Sequence, residues 1–335
     1  MMQVVHHLED VNPAGFSEHT RSFVTVGVFD GLHRGHQRII GGLARAAHEA
    51  GQDAVVVTFD PHPSAVLGES APLLLTTMGE RLDLMADLEV DTVVVFPFTD
   101  DIVHTPARDF VNDLLTHLDM MEIRVGPDFA LGHGQQGDIS YLKQLGGQLG
   151  FQVRVIEPVT WQGSVVHSSR IREALQRGDV DAANGCLGRA YRLSGVVGHG
   201  RGRGRSIGVP TANIDPPPNR LIPVSGVYAC RASTERGEAY AAAVNVGTRP
   251  TFTGQSDPQG LTVEAHLLDF DRDLYNEVLG IDFLARLRDE QAYPTLNALV
   301  AQMREDIAQT RALLAESTAE SSSPPSYSSP PISKE

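Results

Sequence analysis

Two histidines three residues apart, His33 and His36, stand where an apolar run gives way to a helical one. Phe23–Phe29 reads as a buried strand, Asp30-Gly31 breaks it, and the pattern from Gln37 to Ala50 is helical. A strand that turns sharply into a helix gathers backbone N–H groups and the positive end of the helix dipole at one point, which favours an anion. The spacing of three lets both imidazoles face one bound group. Gly35 between them leaves room for a phosphate to approach the backbone. Imidazoles so placed can hydrogen-bond phosphoryl oxygens and partly neutralise the charge that builds on them in a transition state. Ser168-Ser169-Arg170-Ile171-Arg172 opens another helical stretch, and two hydroxyls with an arginine at a helix entrance also suit polyphosphate oxygens. By itself that pattern describes a Ser cap beside a solvated arginine equally well.

Other segments add candidates. Thr58-Phe59-Asp60-Pro61-His62-Pro63 follows a strand, and its prolines fix a turn that can hold Asp60 and His62 over a nucleotide site. Gly126-Pro127-Asp128-Phe129 follows another strand. The run Gly198-His199-Gly200-Arg201-Gly202-Arg203-Gly204-Arg205 alternates glycines, whose amides can curl round an anion, with arginines that add charge. It lacks the Gly-Lys-Ser/Thr of a P-loop. Pro210-Thr211-Ala212-Asn213 offers a hydroxyl and a carbonyl, hard oxygen donors suited to Mg²⁺. Alternation places Glu264 with Thr262 and His266 on the face opposite Val263. If that face meets solvent, Glu264 is a plain surface carboxylate. If it meets a barrel mouth, Glu264 can accept a proton from a substrate hydroxyl.

The elements that must position these groups change character along the chain. Up to about Gly188, short apolar runs (Phe23–Phe29, Ala54–Phe59, Thr92–Phe96, Glu122–Val125, Gln152–Ile156) alternate with helical ones (Gln37–Ala50, Glu80–Leu88, Ala107–Leu118, Ile139–Leu149). Such alternation predicts a Rossmann-like α/β domain with a parallel sheet, whose ligands lie beyond the carboxyl ends of the strands. Asp138 is placed to cap the last of these helices. After Arg189, candidate strands at Tyr191–Val197, Gly226–Ala232, Tyr240–Val246, Leu261–Leu268 and Val278–Leu287 predict an all-β domain, a small antiparallel barrel or sandwich. Pro294 opens a closing helix with Leu296, Leu299, Val300, Met303, Ile307 and Leu314 on one face. The expected domains are therefore 1–187 and 188–315, with a disordered Ser/Pro-rich tail over 316–335.

A length of 335 residues suits two domains, and the formal net charge of −15 argues against a general binder of nucleic acid or anionic membrane. Two cysteines, Cys186 and Cys230, make no disulfide framework, and no apolar run approaches a membrane span. A cytoplasmic location is expected.

Taken in order, these segments resemble the bacterial bifunctional riboflavin kinase/FAD synthetases. The resemblance rests on Gly27–His36 and Thr58–Pro63 in the first module. In the second it rests on Pro210–Asn213, Gly226–Ala229, Asn245–Phe252 and the strand bearing Glu264. The family commonly has Ile-Ser-Ser-Thr where this chain has Val166-His167-Ser168-Ser169.

The resemblance implies ATP-dependent phosphorylation of riboflavin to FMN, then adenylyl transfer from ATP to FMN to give FAD and pyrophosphate. Its implied partners are riboflavin, FMN, ATP and Mg²⁺. Glu264 then looks like the base of the kinase, Thr211 and Asn213 like Mg²⁺ ligands, and Gly198, Gly200, Gly202 and Gly204 like the phosphate loop. His33 and His36 look like the adenylyl-transfer residues, with Gly27, Phe29, Asp30, Gly35, Asp128, Ser168, Ser169 and Arg172 about the ATP. Asp60, His62 and Arg288 look like flavin contacts. A riboflavin kinase with a degenerate first module, or a regulatory protein that binds flavin or nucleotide, are the other readings open at this point.

Overall fold

The computed structural model describes residues 2–11, 21–68, 71–199, 208–248 and 260–320. Gly200, Gly202 and Gly204, the segment Arg249–Phe252 and the tail from 321 lie outside the described residues. The chain divides into two compact units. The first comprises Met1–Ala174, Ala182–Arg189 and Asn219–Leu221, and the second comprises Leu175–Asp181, Ala190–Pro218 and Ile222–Glu335.

The first unit is built on a parallel sheet of β1 (Gln3–Val5), β2 (Ser22–Val26), β3 (Asp53–Asp60), β4 (Thr92–Pro97), β5 (Met120–Val125) and β8 (Gln152–Val155), in the order β1-β4-β3-β2-β5-β8. Two small hairpins join it, β6 (Ala130–Leu131) with β7 (Gly137–Asp138) and β9 (Thr160–Trp161) with β10 (Ser164–Val165). The helices are α1 (Arg34–Glu49), α2 (Pro63–Val66), α3 (Met78–Ala86), α4 (Asp100–Val103), α5 (Ala107–Leu118) and α6 (Ile139–Leu149), followed by α7 (Ser168–Arg177) and α8 (Val180–Leu187), of which the segment Leu175–Asp181 counts with the second unit. Layers on both faces explain the continuous apolar strands. Ala54–Thr58 is wholly buried, and Val24, Val55, Val57, Val94 and Ile123 share a core with Phe110, Leu114 and Leu142. Asp138 caps α6 as expected, accepting from Tyr141 N at 2.8 Å. The strand order reverses about β2, with β3 on one side and β5 on the other, so a crevice opens beyond the carboxyl ends of β2 and β5.

The second unit is a closed antiparallel barrel rather than a sandwich. Its strands are β11 (Tyr191–Gly198), β12 (Ala212–Asp215), β13 (Gly226–Thr234), β14 (Ala239–Thr248), β15 (Leu261–Leu267) and β16 (Val278–Arg288), in the order β11-β12-β15-β14-β13-β16. Leu193, Ile214, Tyr228, Cys230, Val244, Val263, Ala265, Ile281 and Phe283 are buried at alternate positions and fill the interior. Closure comes from β11 pairing with both β12 and β16. Helix α9 (Leu296–Glu320) packs over the outside of β13 and β14. It continues to Glu320, past the position where the tail was expected to begin.

Candidate active sites

Strand β2 stops at Val26, three residues earlier than the apolar run suggests. Phe29 (φ 52°), Gly31 (φ 79°) and Leu32 (φ 37°) take left-handed conformations, and such a turn cannot continue a strand. Protein groups hold the turn in this shape. Arg81 donates to the Val28 carbonyl at 2.7 Å, Arg189 to those of Gly31 (2.8 Å) and Leu32 (3.2 Å), and Gln37 to Leu32 at 2.8 Å. The buried Asp30 carboxylate accepts from Leu75 N (3.0 Å), Thr76 N (3.1 Å), Thr76 Oγ1 (3.1 Å) and Arg172 (2.5 Å). Asp30 is thus a bracket for the turn rather than the phosphate-site group the motif suggested, because its lone pairs are taken and its charge repels an anion. Gly27 packs under Phe29, and a Cβ there would lie 2.9 Å from that ring.

His33 caps α1, its Nδ1 accepting from His36 N at 3.4 Å. A Cβ on Gly35 would lie 3.0 Å from His33 Cε1, so Gly35 makes room for the imidazole, which differs from the close phosphate approach expected of it. The rings of His33 and His36 stack at 3.6 Å, and Phe29 meets His36 edge-on at 5.2 Å. Burial lowers the pKa of His33 to about 4, with His167 adding to the effect. Burial also carries His36 well below the ordinary value, helped by His33 and Arg81. Both rings are therefore neutral near pH 7 without ligand, so what they can offer a phosphoryl oxygen is an N–H dipole. Because His33 Nδ1 accepts, its proton sits on Nε2. His36 Nδ1 is buried without a hydrogen-bond partner among the described residues, a cost that such groups rarely bear in a native fold.

This burial sets a pH dependence of stability. The unfolded chain takes a proton on His33 near pH 6.5 and the folded protein only near 4. As pH falls through that window the unfolded state binds more protons, so stability falls; above it the full stability is present. For His33 alone the loss is at most about 3 kcal/mol. Thermal unfolding followed from pH 7 to 5 is expected to show a falling melting temperature, with a shallower slope in His33→Asn, which keeps a cap without a titrating ring. Equal slopes would remove His33 as the cause.

The second helix entrance differs from its reading. His167, and not a serine, caps α7: its Nδ1 accepts from Arg170 N at 3.2 Å and lies 2.6 Å from Ser169 Oγ. Ser168 Oγ donates to the Asp30 carbonyl at 2.9 Å, and Arg172 is held by Asp30 and, at 2.8 Å, by the Leu73 carbonyl. Arg170 pins the β9–β10 hairpin through the carbonyls of Trp161 (3.1 Å) and Ser164 (2.8 Å). The expected phosphate donors Ser168, Ser169 and Arg172 are all engaged within the protein. Asp60 is exposed at the end of β3, in a cis peptide bond to Pro61, and His62 caps α2 by accepting from Ser64 N at 3.2 Å. Asp128 is exposed on the loop after β5. Both lie at the carboxyl edge of the sheet. Arg81 and Arg189 were missed, because only the folded turn brings them to its carbonyls.

In the barrel, residues far apart in sequence fall on one cross-strand row. Gly198 pairs with Asn213, Asn213 with Glu264, Glu264 with Asn245, Asn245 with Val227, and Val227 with Arg288. Val263 and Ala265 point inward, so the row lies on the outer face, a placement the sequence left open. That face meets α9 across a cavity of about 290 Å³, lined by Thr211, Asn245, Glu264 and Arg288 from the barrel side and by Met303 and Ile307 from the helix. Part of the apolar stripe of α9 thus lines a cavity. Arg288 forms a two-pronged ion pair with Asp306 of α9 (2.9 and 2.7 Å). A second cavity, of about 320 Å³, is walled by Val197, Ala212, Phe270, Leu274 and Tyr275, and Thr211 lines both. His199 lies against Tyr275, with ring centroids 4.1 Å apart. Asn245 is the group that sequence reasoning quoted without a role, since only strand register sets it beside Glu264.

A parallel sheet with imidazoles at its switch point, joined in one chain to a barrel that carries two cavities, Glu264 on the wall of one and Thr211 on the walls of both, defines a two-unit enzyme of phosphate-transfer chemistry. Family models agree: that for FAD synthetase matches residues 16–170, and that for riboflavin kinase matches 187–314. The bifunctional riboflavin kinase/FMN adenylyltransferase of Pseudomonas fluorescens is 36% identical over 318 residues, covering 94% of this chain and 99% of that protein. Those of Bacillus subtilis and Escherichia coli K12 are each 34% identical, covering 86% and 84% of this chain and 91% and 90% of their own lengths. The crystal structure of a macrolide-efflux protein from Streptococcus pneumoniae is similar with a TM-score of 0.82 at 28% identity, covering 92% of this chain and 98% of that one. Among the described residues, no helix here is long and apolar enough to cross a membrane. The chain belongs to the bifunctional riboflavin kinase/FMN adenylyltransferase family.

Proposed function

We propose that the barrel unit phosphorylates riboflavin at Glu264 and that the sheet unit transfers AMP from ATP to FMN beside His33 and His36. The chain is a bifunctional enzyme of FAD biosynthesis by way of FMN. What carries the residue assignment is Thr211, which lines both barrel cavities, with Glu264 on the wall of one of them. Two substrates that exchange a phosphoryl group must meet, and a carboxylate there can take the proton of the attacking hydroxyl.

In this reading the flavin lies under α9 and ATP lies in the second cavity, along the Phe270–Tyr275 wall near the end of β11 at Gly198. The ribityl hydroxyl gives its proton to Glu264, its oxygen bonds to the γ-phosphorus, and ADP leaves. Arg288 serves the flavin through the wall it holds against Asp306. Thr211 Oγ1 and the Asn213 carbonyl are hard oxygen donors on the face that carries Glu264, a set that fits Mg²⁺, which keeps water and phosphate among its ligands. When bound, the ion would neutralise phosphate charge.

In the sheet unit a phosphate oxygen of FMN attacks the α-phosphorus of ATP and pyrophosphate leaves. His33 Nε2–H and His36 stabilise the reacting oxygens, and no covalent enzyme intermediate is needed. Asp128 positions ATP or FMN, and Asp60 and His62 lie on the flavin side. The domains are taken as 1–187 and 188–315, and the location as cytoplasmic, in keeping with two buried cysteines that form no disulfide.

One observation favours a second reading, a riboflavin kinase with a weakened first site: Ser168, Ser169 and Arg172 are engaged internally. Chromatography of the products from riboflavin, ATP and Mg²⁺ separates the two. FMN followed by FAD is expected, and FMN alone would establish the second reading.

A further inference from the structure

The hydroxyls and arginine expected to meet phosphate at the start of α7 are committed elsewhere, whereas the hydrogen bonds of His167 all fall on Nδ1. Its Nδ1 accepts from Arg170 N, and an atom that accepts from an amide carries no proton. The short contact with Ser169 is therefore Ser169 Oγ–H donating to the same Nδ1. Both bonds fix one tautomer, with the proton on Nε2, and the ring is exposed. His33 is built the same way, as a cap accepting through Nδ1 from the amide three residues on. The two helix entrances adjoin. Ser168 bonds the Asp30 carbonyl, the Val166 carbonyl lies 3.8 Å from where a Gly35 Cβ would be, and a charge on His167 is felt at His33. The nearby His36 Nδ1 is buried and unpartnered among the described residues.

We infer that His167 is a further phosphate-binding residue of the adenylyl-transfer site, donating through Nε2–H to a phosphate oxygen of ATP while its Nδ1 caps α7 and holds Ser169. Ser169 thereby becomes the positioning residue and the imidazole the donor. A histidine suits this double task because its two nitrogens lie on opposite sides of a rigid ring, so capping does not consume the donor. No proton or bond is exchanged in the role: it is a neutral hydrogen bond to an anion, the kind that strengthens when donor and acceptor leave water.

The inference rests on reading the first unit as the site of FMN adenylylation, and the wild-type control tests that separately: if wild type makes no FAD from FMN and ATP, that reading fails first. Given wild-type activity, His167→Asn keeps the capping acceptor and removes the Nε2 donor. His167→Gln offers an amide N–H near the Nε2 position and loses the cap. For Asn, the expected result is a KM for ATP in FAD formation raised about tenfold, with kcat changed less. Melting temperature and riboflavin phosphorylation by the same protein should stay at wild-type values. Gln is expected to recover part of the KM at a lowered melting temperature. A His167→Asn protein with the wild-type KM for ATP would make His167 a cap and nothing more. Loss of both activities together would mark a folding defect in Asn; His167→Ala then takes its place, and a folded Ala variant with a KM for ATP no higher than that of Gln would overturn the inference.

Discussion

Glu264→Gln is expected to stop FMN formation and leave FMN-to-FAD conversion untouched. The change removes a charge and a proton acceptor while keeping the shape of the side chain. Glu264 is half-buried on the outer face of the barrel, between Asn213 and Asn245 in the sheet register, so the substitution opens no core cavity. A positioned general base contributes about 10²–10⁴-fold, and a loss of that size in riboflavin phosphorylation is predicted. It is read by following FMN from riboflavin, and separately FAD from supplied FMN, with one protein preparation. Phosphorylation within twofold of wild type would show that Glu264 is not the base. Loss of both reactions in a folded protein would show that the two sites do not work independently.

His36→Ala is expected to do the reverse. It removes the ring stacked on His33 at 3.6 Å and the buried Nδ1 that has no partner among the described residues. Removing one preorganised donor from a site where phosphoryl charge develops typically costs about 10²–10³-fold, and that loss is predicted for FAD formation from FMN. Riboflavin phosphorylation should remain at the wild-type rate. A neutral imidazole makes a further distinction. His36→Lys places a cation where the protein has built a neutral group, and it should not rescue activity. Rescue by lysine would mean that charge, and not a fixed dipole, is what the site requires.

The elements themselves were largely legible in the chain. Helix α6 has the limits its periodicity predicts, with Asp138 as its cap, because local spacing and capping chemistry both act within a few residues. The parallel sheet followed from uninterrupted apolar strands between helical segments. Boundaries slipped where the backbone is governed from a distance. Phe23–Phe29 reads as one strand, but Arg81, Arg189, Leu75 and Thr76 hold the carbonyls and carboxylate of its end in a turn. The short strands β1 and β12 went unread, since three or four residues carry too little periodicity to stand out.

By itself the sequence determined which residues have the chemistry: two imidazoles at a helix entrance, a mid-strand carboxylate, and a threonine and asparagine with hard oxygens. Residue type and local spacing settle these, and they are enough to name a phosphate site. Only the tertiary structure decided which of those groups are free to act. A hydrogen-bonding group used to hold the fold is unavailable to a substrate, and its partner usually lies far along the chain. Asp30 is taken by Leu75, Thr76 and Arg172, and Ser168 by the Asp30 carbonyl. Likewise the face that Glu264 occupies follows from which side of β15 fills the barrel, a property of closure that no strand carries alone.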